Sequence, residues 1–224
     1  MSEPRLVARD VELDLEDGAR TRHVLRGVGL SVAAGEFVGL MGPSGSGKSS
    51  LLFVLSGLRA PTKGSVEALG AAWPNPPARG AAMRRRSLGL VLQDPFLIPY
   101  LTVRENAEAQ ALDDAAHARI APLAESLGIA ALLDAFPEKL STGERQRASI
   151  LRALVNDPAI VLADEPTAHL DAASGLAVID LLARSAERAA LLVTSHDPRM
   201  LERAGRVLRI ADGMLAHAPG PGAG

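Results

Sequence analysis

Cysteine is absent from this 224-residue chain, which excludes a disulfide scaffold and thiolate metal sites and suits a cytoplasmic protein. Aromatic residues make up only 3%, so any core must be filled by Val, Leu, Ile and Ala, drawn from an apolar content of 47%. No apolar run approaches the roughly 18–20 residues that span a bilayer. The opening stretch, MSEPRLVARDVELDLEDG, is too charged for a signal peptide. The chain is therefore expected not to cross a membrane by itself, which leaves work beneath one open. A large charge excess is also missing. The formal net charge of −2 is unlike that of a bulk-basic nucleic-acid binder, and no nucleic-acid partner is expected.

What is present is a succession of strands and helices. Residues 5–15 and HVLRGVGLSV, on either side of the turn-like EDGAR, read as strands near a sheet edge. EFVGLM (36–41) is an apolar strand running into a Gly/Ser-rich turn, and KSSLLFVLSGL reads as a helix ending near Gly57. PTKGSVEALG reads as a turn and hairpin, AAWPNPPARGAA as a Pro-rich loop, and SLGLVLQ (87–93) as a strand. From Thr102 to Leu133 the chain is rich in Ala and Leu and reads as helical, opening on the capping box TVRE. AIVLADEP (159–166) and AALLVTSHD (189–197) are apolar strands with polar ends, and RVLRIADGMLAHA is a hairpin through Asp212-Gly213. The expectation is one α/β domain: a catalytic core over 1–93 and 156–217, a helical subdomain over 94–155, and a disordered tail over 218–224.

Three stretches carry chemistry. The first is GPSGSGKSS, comprising Gly42, Pro43, Ser44, Gly45, Ser46, Gly47, Lys48, Ser49 and Ser50. A polyphosphate needs several backbone N–H donors converging on it, and side chains at Gly42, Gly45 and Gly47 would hold the backbone away. The helix opening at Lys48 points its positive end at the anion. Lys48 supplies a point charge for the β- and γ-phosphates, and the Ser49 hydroxyl is a ligand for Mg²⁺. By itself this motif implies nucleotide binding without separating a kinase, a GTPase, a helicase or a transporter ATPase.

The second is IVLADEP, which places Asp164 and Glu165 at the end of a buried strand. In a parallel sheet such ends face the ligand. Asp164 would hold Mg²⁺ through its shell, and Glu165 would polarise an attacking water. The third is LSTGERQRASI, where Ser141 followed by Glu144 is a capping box that starts a helix.

Taken in order, the phosphate cradle, Gln93 after a strand, LSTGERQR, VLADEP and His196 after a strand resemble the ATP-binding subunit of ABC transporters, from about residue 5 to 213. The resemblance implies a P-loop NTPase (RecA-like) core with an N-terminal antiparallel β part and a helical subdomain carrying the signature motif. It also implies ATP and Mg²⁺ as cofactors. Gln93 matches the glutamine that reaches Mg²⁺ and links core to helical subdomain. His196 matches the switch histidine beside the γ-phosphate and Asp171 the aspartate of the dimer contact, with Glu165 in the catalytic base role. Ser141, Gly143 and the neighbouring Glu144 match the signature that caps ATP bound by an opposing subunit. The family works as a head-to-tail dimer around two ATP molecules and drives an integral-membrane permease, here from the cytoplasmic face of the cell membrane.

The chain departs from the family pattern at three points. Thr142 stands where the signature has glycine, and Glu144 where it has glutamine. The aromatic residue that stacks on adenine is replaced near Leu15, which implies weaker ATP affinity or relaxed base choice. His169 occupies a position usually held by a small residue or Asn. LGLVLQDPFLIPYLTVRENA and ALVNDPAIVLADEPTAHLDAASG resemble the lipoprotein-releasing, macrolide-exporting and cell-division type. There, residues near Phe96, Leu97, Pro99 and Tyr100 would adjoin a permease. The transported substrate is not encoded in this chain. The alternative kept open is a non-transport ABC-type ATPase, such as one signalling in cell division through a permease-like partner.

Overall fold

A computed structural model describes residues 3–18 and 20–217; the expected tail over 218–224 lies outside them. Strands β1 (Pro4–Asp17) and β2 (Arg20–Ala33) form a long antiparallel hairpin. β3 (Phe37–Met41) then runs into helix α1 (Lys48–Leu55). β4 (Lys63–Ala68) and the two-residue β5 (Ala71–Ala72) complete a four-stranded antiparallel sheet in the order β2-β1-β4-β5.

Helix α2 (Ala81–Ser87) leads into β6 (Leu88–Val91). Three helices follow: α3 (Val103–Glu108), α4 (Asp114–Ser126) and α5 (Thr142–Leu154). The chain returns through β7 (Ile160–Asp164), α6 (Ala172–Ala186), β8 (Ala190–Thr194), β9 (Arg206–Ala211) and β10 (Met214–His217). The second sheet is ordered β10-β9-β3-β8-β7-β6 and is parallel except for the β9–β10 hairpin. The α/β class with an antiparallel N-terminal part is therefore as expected.

The parallel sheet is buried on both faces, and its strands feed two separate cores through the period-2 alternation of side chains. Ile160, Leu162 and Leu192 join one core with α1 and the antiparallel sheet. Val161, Ala163 and Val193 join another with α4, α5 and α6. This explains why these strands read as continuous apolar runs.

One expectation needed correction. AAWPNPPARGAA is not wholly a loop, because β5 occupies its start and a 3₁₀ turn at Pro77–Gly80 leads into α2 at its end. The stretch from Thr102 to Leu133 is helical, as read, and is divided into separate helices. Thr102 and Asp113 each cap a new start, and a 3₁₀ turn follows at Ala130–Leu132.

Candidate functional site

The parallel sheet brings four loops to one edge. The cradle follows β3, Gln93 lies just beyond β6, Glu165 follows β7 and His196 follows β8. These are the C-terminal ends of neighbouring parallel strands, where an open α/β sheet binds its ligands. A cleft of about 360 Å³ opens there, with walls that include Gly45, Lys48, Ser49, Gln93, Glu165 and His196. Ser44, Gly47, Ser50 and Leu15 also line it.

The cradle is held from beneath. A Cβ at Gly42 would stand 2.3 Å from the Ile210 carbonyl oxygen, so no larger residue fits. Gly47 adopts φ +106°, in the left-handed region open to glycine, and its bend starts α1. The Ser46 amide donates to the Pro43 carbonyl at 3.2 Å, and the Gly213 amide donates to the Ser46 carbonyl at 3.2 Å. The Arg26 amide donates in turn to the Gly213 carbonyl, so the β9–β10 turn ties the cradle to β2.

Lys48 is buried and curls over the loop, its Nζ donating to the carbonyls of Gly42 (2.7 Å) and Pro43 (3.1 Å). The same Nζ lies 4.0 Å from Glu165 Oε1. A phosphate entering the cleft would offer this ammonium a charged acceptor in exchange for neutral carbonyls.

Glu165 is the most constrained of the predicted residues. It is a buried, non-glycine residue at φ +45°, a conformation that costs on the order of 1–3 kcal/mol unless its surroundings enforce it. The enforcement comes from Thr194, which lies opposite Asp164 in the β7–β8 register. The buried Thr194 hydroxyl donates to Asp164 Oδ1 (2.7 Å) and accepts from the Glu165 amide (3.0 Å). His196 completes the arrangement: its amide donates to Glu165 Oε2 (3.3 Å), and its Nδ1 lies 2.9 Å from the same oxygen. The exposed ring leaves Nε2 facing outward.

Asp164 is buried beneath the cleft rather than lining it. Asp164, Ser49 and Gln93, the residues expected to hold Mg²⁺, all offer oxygen donors of the kind a hard cation takes. Among the described residues no group of three His, Cys, Asp or Glu side chains could hold a metal alone. A cation here would rely on phosphate oxygens for the rest of its shell.

The signature residues lie elsewhere. Ser141 caps α5: its Oγ accepts from the Glu144 amide at 3.3 Å, and Glu144 Oε2 accepts from both the Ser141 amide and hydroxyl. Those two bonds from Ser141 hold the Glu144 carboxyl below its usual range. Thr142 is exposed, and its hydroxyl accepts from Arg145 at 3.2 Å. Gly143 packs against the loop before α6, where an added Cβ would meet Leu170 Cδ2 at 3.1 Å and the His169 carbonyl at 3.3 Å. Asp171 caps α6 through the amides of Ala173 and Ser174, and these bonds, led by those from Ser174, lower its carboxyl pKa. Ser141, Gly143, Glu144 and Asp171 do not line the cleft of their own chain.

Sequence reasoning missed several contributors. Arg22 and Val24 line the cleft beside Leu15, and their signal was the hairpin turn at EDGAR, which makes Arg22 the partner of Leu15. Thr194 had no local signal, because its partners lie 29 and 30 residues away. The buried Gln146 donates to the Leu92 carbonyl at 3.1 Å, and Arg152 donates to the carbonyls of Pro95 (2.9 Å) and Phe96 (2.7 Å). These bonds join α5 to the loop that carries Gln93.

The family described as ABC transporter matches residues 25–168. The chain is 39% identical to the macrolide export ATP-binding/permease protein MacB 1/2 of Paracoccus denitrificans, over 98% of this chain and 35% of that protein. It thus spans about a third of that relative's length. It is 36% identical to HrtA of Staphylococcus aureus, an ATP-binding protein named for hemin import, over 94% of this chain and 98% of HrtA. A solved dimer of the ATP-binding cassette MJ0796, in a post-hydrolysis state with ADP and Pi, superposes with a TM-score of 0.86 at 30% identity. That match covers 96% of this chain and 99% of the cassette.

Proposed function

This chain belongs to the ABC transporter ATP-binding family, whose cassettes are ATPases, and from that premise we propose that it powers a separate membrane permease of the exporter type. The observation that carries the reading is the division of the site. One chain places the cradle, Gln93, Glu165 and His196 around one cleft, yet holds Ser141 and Gly143 outside it. Two copies arranged head to tail would bring the start of α5 in each to the cleft of the other. The solved MJ0796 cassette is a dimer, which supports this arrangement.

In the proposed cycle, Lys48 and the cradle amides bind the β- and γ-phosphates. Glu165, held by Thr194 and His196, orients and polarises the attacking water, while an N–H on the outward Nε2 of His196 would donate to the γ-phosphate. Ser49, Gln93 and Asp164 would hold Mg²⁺, which would neutralise phosphate charge. The amide end of α5, with Ser141 and Gly143, would stabilise the γ-phosphate of the opposite copy.

The work output would leave through the loop after β6. Its outer face exposes Phe96 and Tyr100, 66% and 78% accessible respectively. Its inner face is tied to α5 by Gln146 and Arg152. Movement of α5 on closure would therefore shift a surface suited to the permease, at the cytoplasmic face of the membrane. No described helix is long and apolar enough to cross the membrane itself.

Glu165→Gln tests the catalytic assignment. The variant should bind ATP, lose turnover and accumulate as an ATP-dependent dimer in light scattering. Persistent turnover would remove Glu165 from its role. Affinity purification from solubilised membranes should recover an integral-membrane partner. A partner-free protein would argue against the permease.

A further inference from the structure

The end of the cleft away from the cradle is built differently from an aromatic stacking platform. β1 and β2 place Leu15 directly across from Arg22. A register shift at Val24 interrupts the hairpin's alternation, and both Arg22 and Val24 reach the cleft, while His23 pairs with Asp14 at 2.7 Å. Val24 packs against the cradle, because a Cβ on Gly47 would stand 3.1 Å from its carbonyl oxygen. Arg22 lies two residues before it on β2, further from the cradle. Leu15, Arg22 and Val24 line the cleft together with the cradle. The exposed Arg22 thus sits beside an apolar residue in the same cleft as Gly45–Ser50, which would hold the phosphates of a nucleotide.

We propose that Arg22 reads the base, and that this cleft accepts GTP at least as well as ATP. The inference rests on the nucleotide-site reading above. Leu15 supplies apolar contact to the face of any purine but carries no hydrogen-bonding group to tell one from another. The guanidinium is planar and carries only donors. Guanine presents two adjacent acceptors, N7 and O6, matching this fork, whereas adenine presents N7 beside a donor amino group. Stacking of the guanidinium on the ring would favour both purines alike. The difference in donor–acceptor match then favours guanine.

The test is calorimetric titration of the intact chain, with Mg²⁺, using ATP and GTP separately in a Glu165→Gln background to prevent turnover. GTP should bind as tightly as ATP or more tightly. Arg22→Ala should weaken GTP roughly fivefold or more, with a smaller effect on ATP. Arg22→Lys, which keeps the charge and loses the fork, should not restore GTP. Leu15→Tyr should tighten both nucleotides. ATP bound tenfold more tightly than GTP would overturn the proposal. So would an equal loss for both nucleotides in Arg22→Ala that Arg22→Lys repairs, since that would make Arg22 only a distant charge for the phosphates. Binding of neither nucleotide would instead overturn the site reading on which the proposal stands.

Discussion

At the residue scale, the positions of Asp164 and Glu165 depend on one hydroxyl, that of Thr194. Thr194 is fully buried and gives one bond to Asp164 and takes one from Glu165. Thr194→Val keeps the shape but leaves a buried carboxylate oxygen and a buried amide without their partner. We expect a loss of about 1–3 kcal/mol in urea denaturation. ATP turnover should fall further than this destabilisation explains, because Glu165 would relax from its left-handed conformation. Unchanged turnover would show that Glu165 is held by other contacts. Thr142, the departure within the signature, has an occupied hydroxyl: it accepts from Arg145, one turn further along its own helix. Thr142→Gly should therefore change turnover of the assembled complex by no more than about threefold, the range of an exposed substitution. A gain of orders of magnitude would show that the side chain obstructs the opposing phosphate.

At the element scale, α5 and α6 both start on side-chain caps, and both caps lie where two copies would meet. Ser141→Ala should cost about 1 kcal/mol of stability through the lost cap. The acid dependence has a defined sign. Glu144 and Asp171 have carboxyl pKa values lowered in the folded chain, so the folded state binds fewer protons than the unfolded state. Their stabilisation is complete above the ordinary carboxylate range of about 4 and is lost as pH falls through the lowered folded values. Asp171→Asn, which preserves the capping oxygen without a titrating group, should flatten the acid limb of a stability–pH curve measured by urea melts. An unchanged acid limb would remove Asp171 from this role.

The elements also show what the sequence made legible. β3, β7 and β8 were readable because burial on both faces demands apolar residues at every position. α1, α5 and the 212–213 turn were readable from local chemistry: the glycine-rich entry, the capping box and Asp-Gly. α2 was not readable. AAMRRRS buries only Ser87 and follows a Pro-rich stretch, so neither periodicity nor a cap announces it. Within the site, the linear motifs were visible because each is a contiguous run. Arg22, Gln146 and Thr194 were not, because each acts across strands or between helix and loop. Asp164 was placed correctly at its strand end, but its burial beneath the cleft followed from Thr194 in the neighbouring strand.

At the scale of the whole molecule, the two cores divide the labour. The core with α1 supports the cradle and the β1–β2 hairpin. The core with α4, α5 and α6 carries the signature and the loop that exposes Phe96 and Tyr100. Shared strands join the two halves, so closure of a dimer would be transmitted through the sheet and through the α5 bonds to the 92–96 loop. The central claim is that α5 of one copy completes the cleft of the other.

A mixing experiment tests that claim most directly. Lys48→Ala disables the cradle, and Gly143→Asp obstructs the signature; each variant alone should be inactive. In a 1:1 mixture, half the dimers are mixed, and each mixed dimer has one cleft with both an intact cradle and an intact opposing signature. The mixture should therefore recover roughly a quarter of wild-type ATP turnover if the two sites of a symmetric dimer act independently. No recovery, with both variants folded and Gly143→Asp still binding ATP, would contradict the account and leave the signature acting within its own chain or not at all.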